Sequence, residues 1–531
     1  MNEICYNKPN DNVGGVYSFE LPPRCTNKKF TEATMKKYVK LITLLLAIAT
    51  MMSLFAACAN TGGEDTTDSS AQTQAPTESD ATTAEVTLYE PDDLEESYNF
   101  GETITFFIWD DWRMMEFYSD ETGDLIDDAI YHRNIKVTER LGVEFAWVEA
   151  PGDSEEYKEW LTKAENDWAA DNEFDIYAGY SRTIPLLTLK NMAANLLQQE
   201  SFNVEKPWWP EALTTECTIN DRLYFCTGDI ATSMLWYMVA FMYNKDLYEA
   251  HIQTANGGKT PMDMVDEDNW TLESFLNLVQ NIYVDNDNNG QKDVTDFYGA
   301  TIYSTDITAF MIGAGITSLE KTEDGGLRIS EKWNSQRCAD ICETVGNAMQ
   351  VTGILCNTDR STFRTQQSIF HMDRVFNIPG TDTGGEGFEF TVGVVPVPKF
   401  DKTQEAYKTN LGNPSTMYAL NAQSRELEAA ATTLEAMASE NYRSVTPVVF
   451  EVAMKVRYTD DAQVAGMFDI LKENVSFDVG QLYYYATEKL PAKVFSDTCL
   501  SNNPSGFLST LKRSERVINN KIKEIMKGYT D

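Results

Sequence analysis

Apolar and polar positions begin to alternate near residue 102. Within ETITFFIWDDW, Ile104, Phe106 and Ile108 share one face, the period of a strand that runs out into Trp109, Asp110, Asp111 and Trp112. The pattern then changes to helical spacing from Ala129 to Leu141 and returns to a strand over Val143 to Val148 (VEFAWV). Between Glu155 and Ala170, Tyr157, Trp160, Leu161, Ala164 and Trp168 fall on one helical face, and Phe174 to Tyr180 (FDIYAGY) reads as a third strand. Strand, helix, strand, helix, strand predicts a parallel α/β sheet.

Further along, Leu223 to Thr227 and Met234 to Tyr243 are apolar runs predicted to be extended, with a helix beginning at Lys245. Thr271 is placed to cap a helix in which Leu272, Phe275, Leu276, Val279 and Ile282 repeat at helical spacing. Val392 to Val397 and Met417 to Leu420 read as late strands, and Leu427, Ala431, Leu434 and Ala438 as an amphipathic helix. No repeat of solenoid length is present.

The first hundred residues carry a different pattern. Lys36, Lys37 and Lys40 precede an apolar run, Leu41 to Ala57, which is short for a membrane span and ends in Ala56-Ala57-Cys58. This is the layout of a lipoprotein export signal over 35–57, with Cys58 as the lipidation site and Met35 as the initiator; residues 1–34 are then a non-native upstream extension. Phe55 stands where Leu is more usual in such a signal. Residues 59 to 84 are almost devoid of large apolar side chains and read as a flexible tether, a coil of roughly 25 to 30 Å.

With 82 Asp and Glu against 43 Lys and Arg, the formal charge is −39, which disfavours nucleic acid and anionic lipid headgroups as partners. Of nine cysteines, Cys5 and Cys25 precede Met35 and Cys58 is the lipid site. The rest are Cys217, Cys226, Cys338, Cys342, Cys356 and Cys499. Cys217 and Cys226 flank what reads as a strand pair turning at Asn220-Asp221 and could bridge, whereas Cys338 and Cys342 lie four apart on one helix, a poor disulfide geometry.

The order of segments over residues 100 to 530 resembles the extracellular solute-binding lipoproteins of ABC transporters, of the carbohydrate-binding family 1 type. The segments that carry the resemblance are ITFFIWDDW, VTERLGVEFAWVE, FDIYAGYSRTIPLLTLKNMAANLL, NDRLYFCTG with MVAFMYNKDLYEA, DNWTLESFLNLVQ, VGVVPVPKFD and LGNPSTMYALNAQSRELEAAATTLEAM. The resemblance implies a two-lobed periplasmic-binding-protein-like α/β fold whose discontinuous lobes close about a hinge. The lobes would comprise 98–228 with about 415–465, and 229–414 with about 466–531, behind a lipidated Cys and tether at 58–97. It also implies a carbohydrate ligand, an ABC permease as partner, attachment to the outer face of the cell membrane through lipid alone, and a monomer.

Ligands of open parallel sheets sit beyond the carboxyl ends of strands, so the residues following each strand are the candidates. Those are Trp109, Asp110 and Trp112 after the first strand, Tyr180 at the end of FDIYAGY, and Asp229 and Trp236 around the first crossover. Flat aromatics to stack on a sugar ring and carboxylates to accept from its hydroxyls suit such a ligand. Trp208 and Trp209 in PWWPE read as a packed loop.

The sharpest local motif is DNDNNGQKDVTD, 285–296. Asp285, Asp287 and Asn289, Gly290 at the turn, the Gln291 carbonyl, Asp293 and Asp296 have the spacing of an EF-hand-type loop for a structural Ca2+. Asp296 is shorter than the usual Glu, and Lys292 replaces an apolar residue; both weaken the expected affinity. The three histidines, His132, His251 and His371, have no partner at triad or metal-ligand spacing, and HExxH, GxSxG and phosphate-binding Gly-rich loops are absent. The expectation is a binding protein with no catalytic residues. A secreted glycan hydrolase, which needs two carboxylates about 5 to 10 Å apart across a cleft, and a surface sensing lipoprotein without a transporter are the alternatives.

Overall fold

The first strand, β1 (Thr103–Trp109), is apolar at nearly every position because both of its faces are covered. Phe106 stacks on its register partner Trp147 at 4.5 Å, and Phe107, pointing the other way, stacks on Trp160 at 4.5 Å. The computed structural model describes residues 90–112, 116–170, 172–375, 388–451 and 462–530, without the side chains of 112 and 451. The export signal, Cys58 and the tether over 59–84 lie outside the described residues.

Helix α1 (Leu125–Leu141) starts where the Asp124 side chain accepts from the amides of Ile126 and Asp127, and stops at Gly142, whose φ of 64° is left-handed. A Cβ there would also come within 3.1 Å of Asn99 Cα. The strands β2 (Glu144–Ala150) and β3 (Ile176–Tyr180) flank β1 in parallel, with α2 (Tyr157–Ala169) between them in sequence.

The run Met234 to Tyr243 is not one extended segment: it opens in helix α3 (Thr232–Trp236) and only then forms β4 (Val239–Asn244). Every residue of both elements is buried, so the run lacks the period that separates a helix from a strand. Leu223 to Thr227 likewise forms no strand and contributes a single bridge, Cys226 to Tyr418. Thr271 caps α4 (Leu272–Val279) through a reciprocal pair of bonds with Ser274.

A second sheet contains β5 (Phe297–Tyr303), β6 (Ile354–Asn357), β7 (Ser368–Arg374) and β8 (Val392–Pro396), with α5 (Gln336–Ala348) preceding β6. Strand β5 pairs in parallel with β6 and β7, while β4 lies antiparallel between β7 and β8. After β9 (Thr409–Asn410), the chain returns to the first sheet as β10 (Thr416–Leu420), antiparallel to β3, giving the order β10-β3-β1-β2.

Helix α6 (Leu427–Glu440) packs on α1, whereas α7 (Ala462–Glu473) packs on β8 of the second sheet. Strand β11 (Val475–Ser476) pairs with β9, and after α8 (Val479–Leu482) the helices α9 (Leu490–Cys499) and α10 (Phe507–Lys527) pack on each other and on α5. The six cysteines among the described residues are free thiols. The Cys217–Cys226 bridge does not form: Cys217 ends a helix (Glu211–Cys217) and Cys226 is drawn to Tyr418, so the two do not flank a strand pair.

Candidate functional site

The parallel strands of the first sheet end at Trp109, Ala150 and Tyr180, and the antiparallel β10 begins at the same edge. Trp109 is fully buried there: its indole N–H donates to Thr416 Oγ1 at 3.1 Å and its ring lies nearly parallel to Tyr180 at 6.0 Å. Tyr180 meets Tyr485 edge-on at 6.3 Å, and Tyr485 stacks flat on Tyr157 of α2 at 3.7 Å. Arg182 lies over the ring of Tyr484 at 3.7 Å and donates to the Tyr180 hydroxyl at 3.4 Å. A run of aromatic rings thus joins the carboxyl ends of β1 and β3 to the segment between α8 and α9. Burial pushes the phenol pKa of both Tyr157 and Tyr485 upward, keeping them neutral donors.

Asp110 and Asp111 make the turn after β1, and the side chain of Trp112, which ends that turn, lies outside the described residues. Asp111 still reaches water at its surface. Desolvation, then the like charges of Asp110 and Asp153, raise its pKa to about 7.

Both crossover candidates are buried. Asp229 is buried and its carboxylate is taken by Lys472 of α7 at 3.1 Å, while Asn441 donates to its carbonyl at 2.7 Å. The Lys472 pair ties the first crossover to α7. Trp236 is buried at the end of α3. Of the sequence-derived candidates, Trp109 and Tyr180 come together, with Asp110 on the turn beside them, and α3, which carries Trp236, reaches the same edge through Ser233 Oγ, which accepts from Thr416 N at 3.0 Å.

At the corresponding edge of the second sheet, Tyr303 ends β5 and Arg374 ends β7. Arg374 grips Asp306 with two bonds, at 2.9 and 3.0 Å, and Arg360 pairs with Asp373. The guanidinium of Arg360 lies 3.7 Å over Tyr303, and that of Arg374 lies 5.5 Å from the same ring. Burial alone would raise the pKa of Asp373, but His371 and Arg360 hold it below the usual carboxylate range. Sequence reasoning missed this wall because it assigned no strand to FYGATIY or SIFHMDR; with those strands in hand, the residues at their carboxyl ends follow from the same rule.

In the loop over 285–296, the carboxylates of Asp285, Asp287 and Asp296 offer oxygens within 4.8 Å of one another. Gly290 takes a φ of 73°, and the amides of Asn289 and Gly290 donate to Asp285 at 3.2 and 2.9 Å. The Asn289 Nδ2 faces Asp287 and Asp293, at 2.9 and 3.0 Å, and its Oδ1 accepts from Gln291 N at 2.6 Å. Lys292 turns away to the carbonyls of Val351 and Ile354.

Solved structures share this fold. The cyclic α-maltosyl-1,6-maltose binding protein of Arthrobacter globiformis is 15% identical, with 79% of this chain and 99% of that one covered, at a TM-score of 0.52. UspC of M. tuberculosis is 14% identical, with 79% and 100% covered, at 0.50. The fold is that of two-lobed solute-binding proteins. No protein-family model and no curated protein matches the chain. Among the described residues, no helix is long and apolar enough to cross a membrane.

Proposed function

We propose that this chain is a lipid-anchored extracytoplasmic receptor that captures a carbohydrate, an oligosaccharide by preference, and delivers it to an ABC permease. The observation that carries the reading is the pair of strand edges. One carries the half-buried rings of Tyr157 and Tyr485, backed by the buried rings of Trp109 and Tyr180, and the other half-buried Tyr303 with the Arg360 guanidinium over one of its faces. Rings supply faces for pyranose stacking, and the carboxylates and phenols beside them supply hydroxyl partners. The fold shared with an oligosaccharide-binding protein supports the same reading. Capture would proceed by lobe closure without bond cleavage.

Attachment through Cys58 belongs to the same proposal and rests on the Lys-rich, apolar, Ala-Ala-Cys order of 36–58. So does a structural Ca2+ in the 285–296 loop. Three carboxylates within 4.8 Å repel one another until a cation sits among them.

The test is a thermal-shift and calorimetric screen of the protein against maltotriose, maltotetraose, cyclic α-maltosyl-1,6-maltose, raffinose and cello-oligosaccharides, with peptides as the contrasting class. An oligosaccharide at a hundredfold excess over its Kd adds about 2.7 kcal/mol of stability. Binding of a sugar that is recovered intact supports the receptor. Cleavage of the sugar, or binding of peptides alone, would sink it.

A further inference from the structure

A cavity of about 20 Å³, room for one water-sized group, lies where the links between the two sheets meet. Its polar lining comes from three separate stretches: Ser181 just past β3, Asn410 at the end of β9 with Asn413 and Ser415 on the link to β10, and Ser476, Asp478 and Gln481 from β11 into α8. Some of these groups already have partners. Ser181 Oγ donates to Asn413 Oδ1 at 3.2 Å, and Asp478 Oδ1 accepts from Ser318 Oγ at 2.7 Å and Gly480 N at 3.0 Å. Asp478 Oδ2 and Gln481 Nε2 do not: both atoms are buried without a hydrogen-bond partner, and Asp478 as a residue is only 3% exposed.

One unmet acceptor and one unmet donor on the same small cavity define what fills it. An ammonium would satisfy the carboxylate and not the amide N–H; a second carboxylate would do the reverse. A hydroxyl satisfies both. We propose that the cavity receives one hydroxyl of the captured carbohydrate, donating to Asp478 Oδ2 and accepting from Gln481 Nε2, which makes these two residues determinants of specificity. The inference rests on the receptor reading above. Water offers the same chemistry, but the position favours the ligand. The seat lies beyond the carboxyl end of β3, where α/β sheets bind ligands, and is complete only when all three stretches meet. A hydroxyl held there ties ligand capture to closure and adds a donor to a buried carboxylate whose Oδ1 alone is met by Ser318 and Gly480.

The experiment is calorimetric titration of the same oligosaccharide panel into the full chain, as wild type, Asp478→Asn, Gln481→Met and the double variant. Asp478→Asn keeps the Oδ1 bonds to Ser318 and Gly480 and turns the Oδ2 acceptor into a donor. For the sugar that wild type binds, Kd should weaken on the order of tenfold or more in Asp478→Asn. It should weaken to a lesser degree in Gln481→Met, and the double variant should lose less than the product of the two, because one hydroxyl serves both groups. Gln481 breaks no existing side-chain bond when replaced, so it carries the test should Asp478→Asn fold poorly. Wild-type affinity in both single variants overturns the inference and leaves the receptor reading standing; no binding of any panel sugar to wild type overturns both. A crystal structure of the sugar complex separates the two hydroxyl sources: a sugar hydroxyl in the cavity supports the proposal, and a retained water overturns it.

Discussion

Glu435 shows how one side chain can organise a loop. It lies inside α6, 1% exposed, and accepts from the indoles of Trp208 and Trp209, both at 3.0 Å, and from Asn203 N at 3.3 Å. PWWPE is thus a packed loop whose two tryptophans are pinned to one carboxylate. Desolvation raises the Glu435 pKa from 4.5 to about 7, against the opposing pull of the indole donors. Because the folded value lies above the unfolded one, the folded state holds the extra proton between pH 4.5 and 7, and the contribution to stability falls as pH rises through that window. Urea denaturation of Glu435→Ala should show a loss of about 2–3 kcal/mol, since three donors are left buried without an acceptor. Glu435→Gln should lose less and should flatten the slope between pH 4.5 and 7 relative to wild type. At the cleft, Tyr485→Ala removes the flat stack on Tyr157. It should weaken oligosaccharide binding by about two- to tenfold, chiefly through faster dissociation in stopped-flow traces.

Elements with two different environments were legible from their pattern; elements buried on all sides were not. Helix α1 has a polar face, an Asp124 cap and a Gly142 stop, so its period and its ends both show. Gly142→Ala forces a left-handed φ on a residue with a Cβ and presses it against Asn99; its cost should be about 1–2 kcal/mol in the same denaturation assay. By contrast, α3 and β4 are buried throughout, and the sequence reading ran them together. The 285–296 loop is local by construction, with spacing that the structure converges into three facing carboxylates. With Ca2+ the protein should melt several degrees higher than with chelator, and Asp287→Ala should abolish that difference while leaving the chelated melting temperature nearly unchanged. An identical response of wild type and Asp287→Ala to Ca2+ would count against an ion in this loop.

At the scale of the molecule, the carboxyl terminus acts as a tie. Tyr529, fully buried beyond α10, bonds the Tyr483 hydroxyl at 2.9 Å, and its carbonyl accepts from Asn220 at 2.6 Å. Gly528 packs so tightly on Thr188 that a Cβ would lie 2.8 Å from the Thr188 carbonyl oxygen. Deleting residues 528–531 should therefore cost about 3 kcal/mol or more, read as a lowered denaturation midpoint, although the deletion is far from the aromatic run in sequence. What the sequence by itself determined was the alternation of strands and helices in 102–180, the capped helices, the spacing of the acidic loop and the order of segments that resembles two-lobed receptors. The first three depend on neighbours a few residues apart, where period and spacing carry the information; the last is a resemblance carried by the succession of whole segments. Only the tertiary structure decided that Asp229 pairs with Lys472, that Cys226 joins Tyr418, that Arg360 and Arg374 share Tyr303, and that Ser181, Asn413 and Asp478 line one cavity. Those partners lie tens to hundreds of residues apart, and no local period encodes which distant side chain a buried charge or hydroxyl will meet.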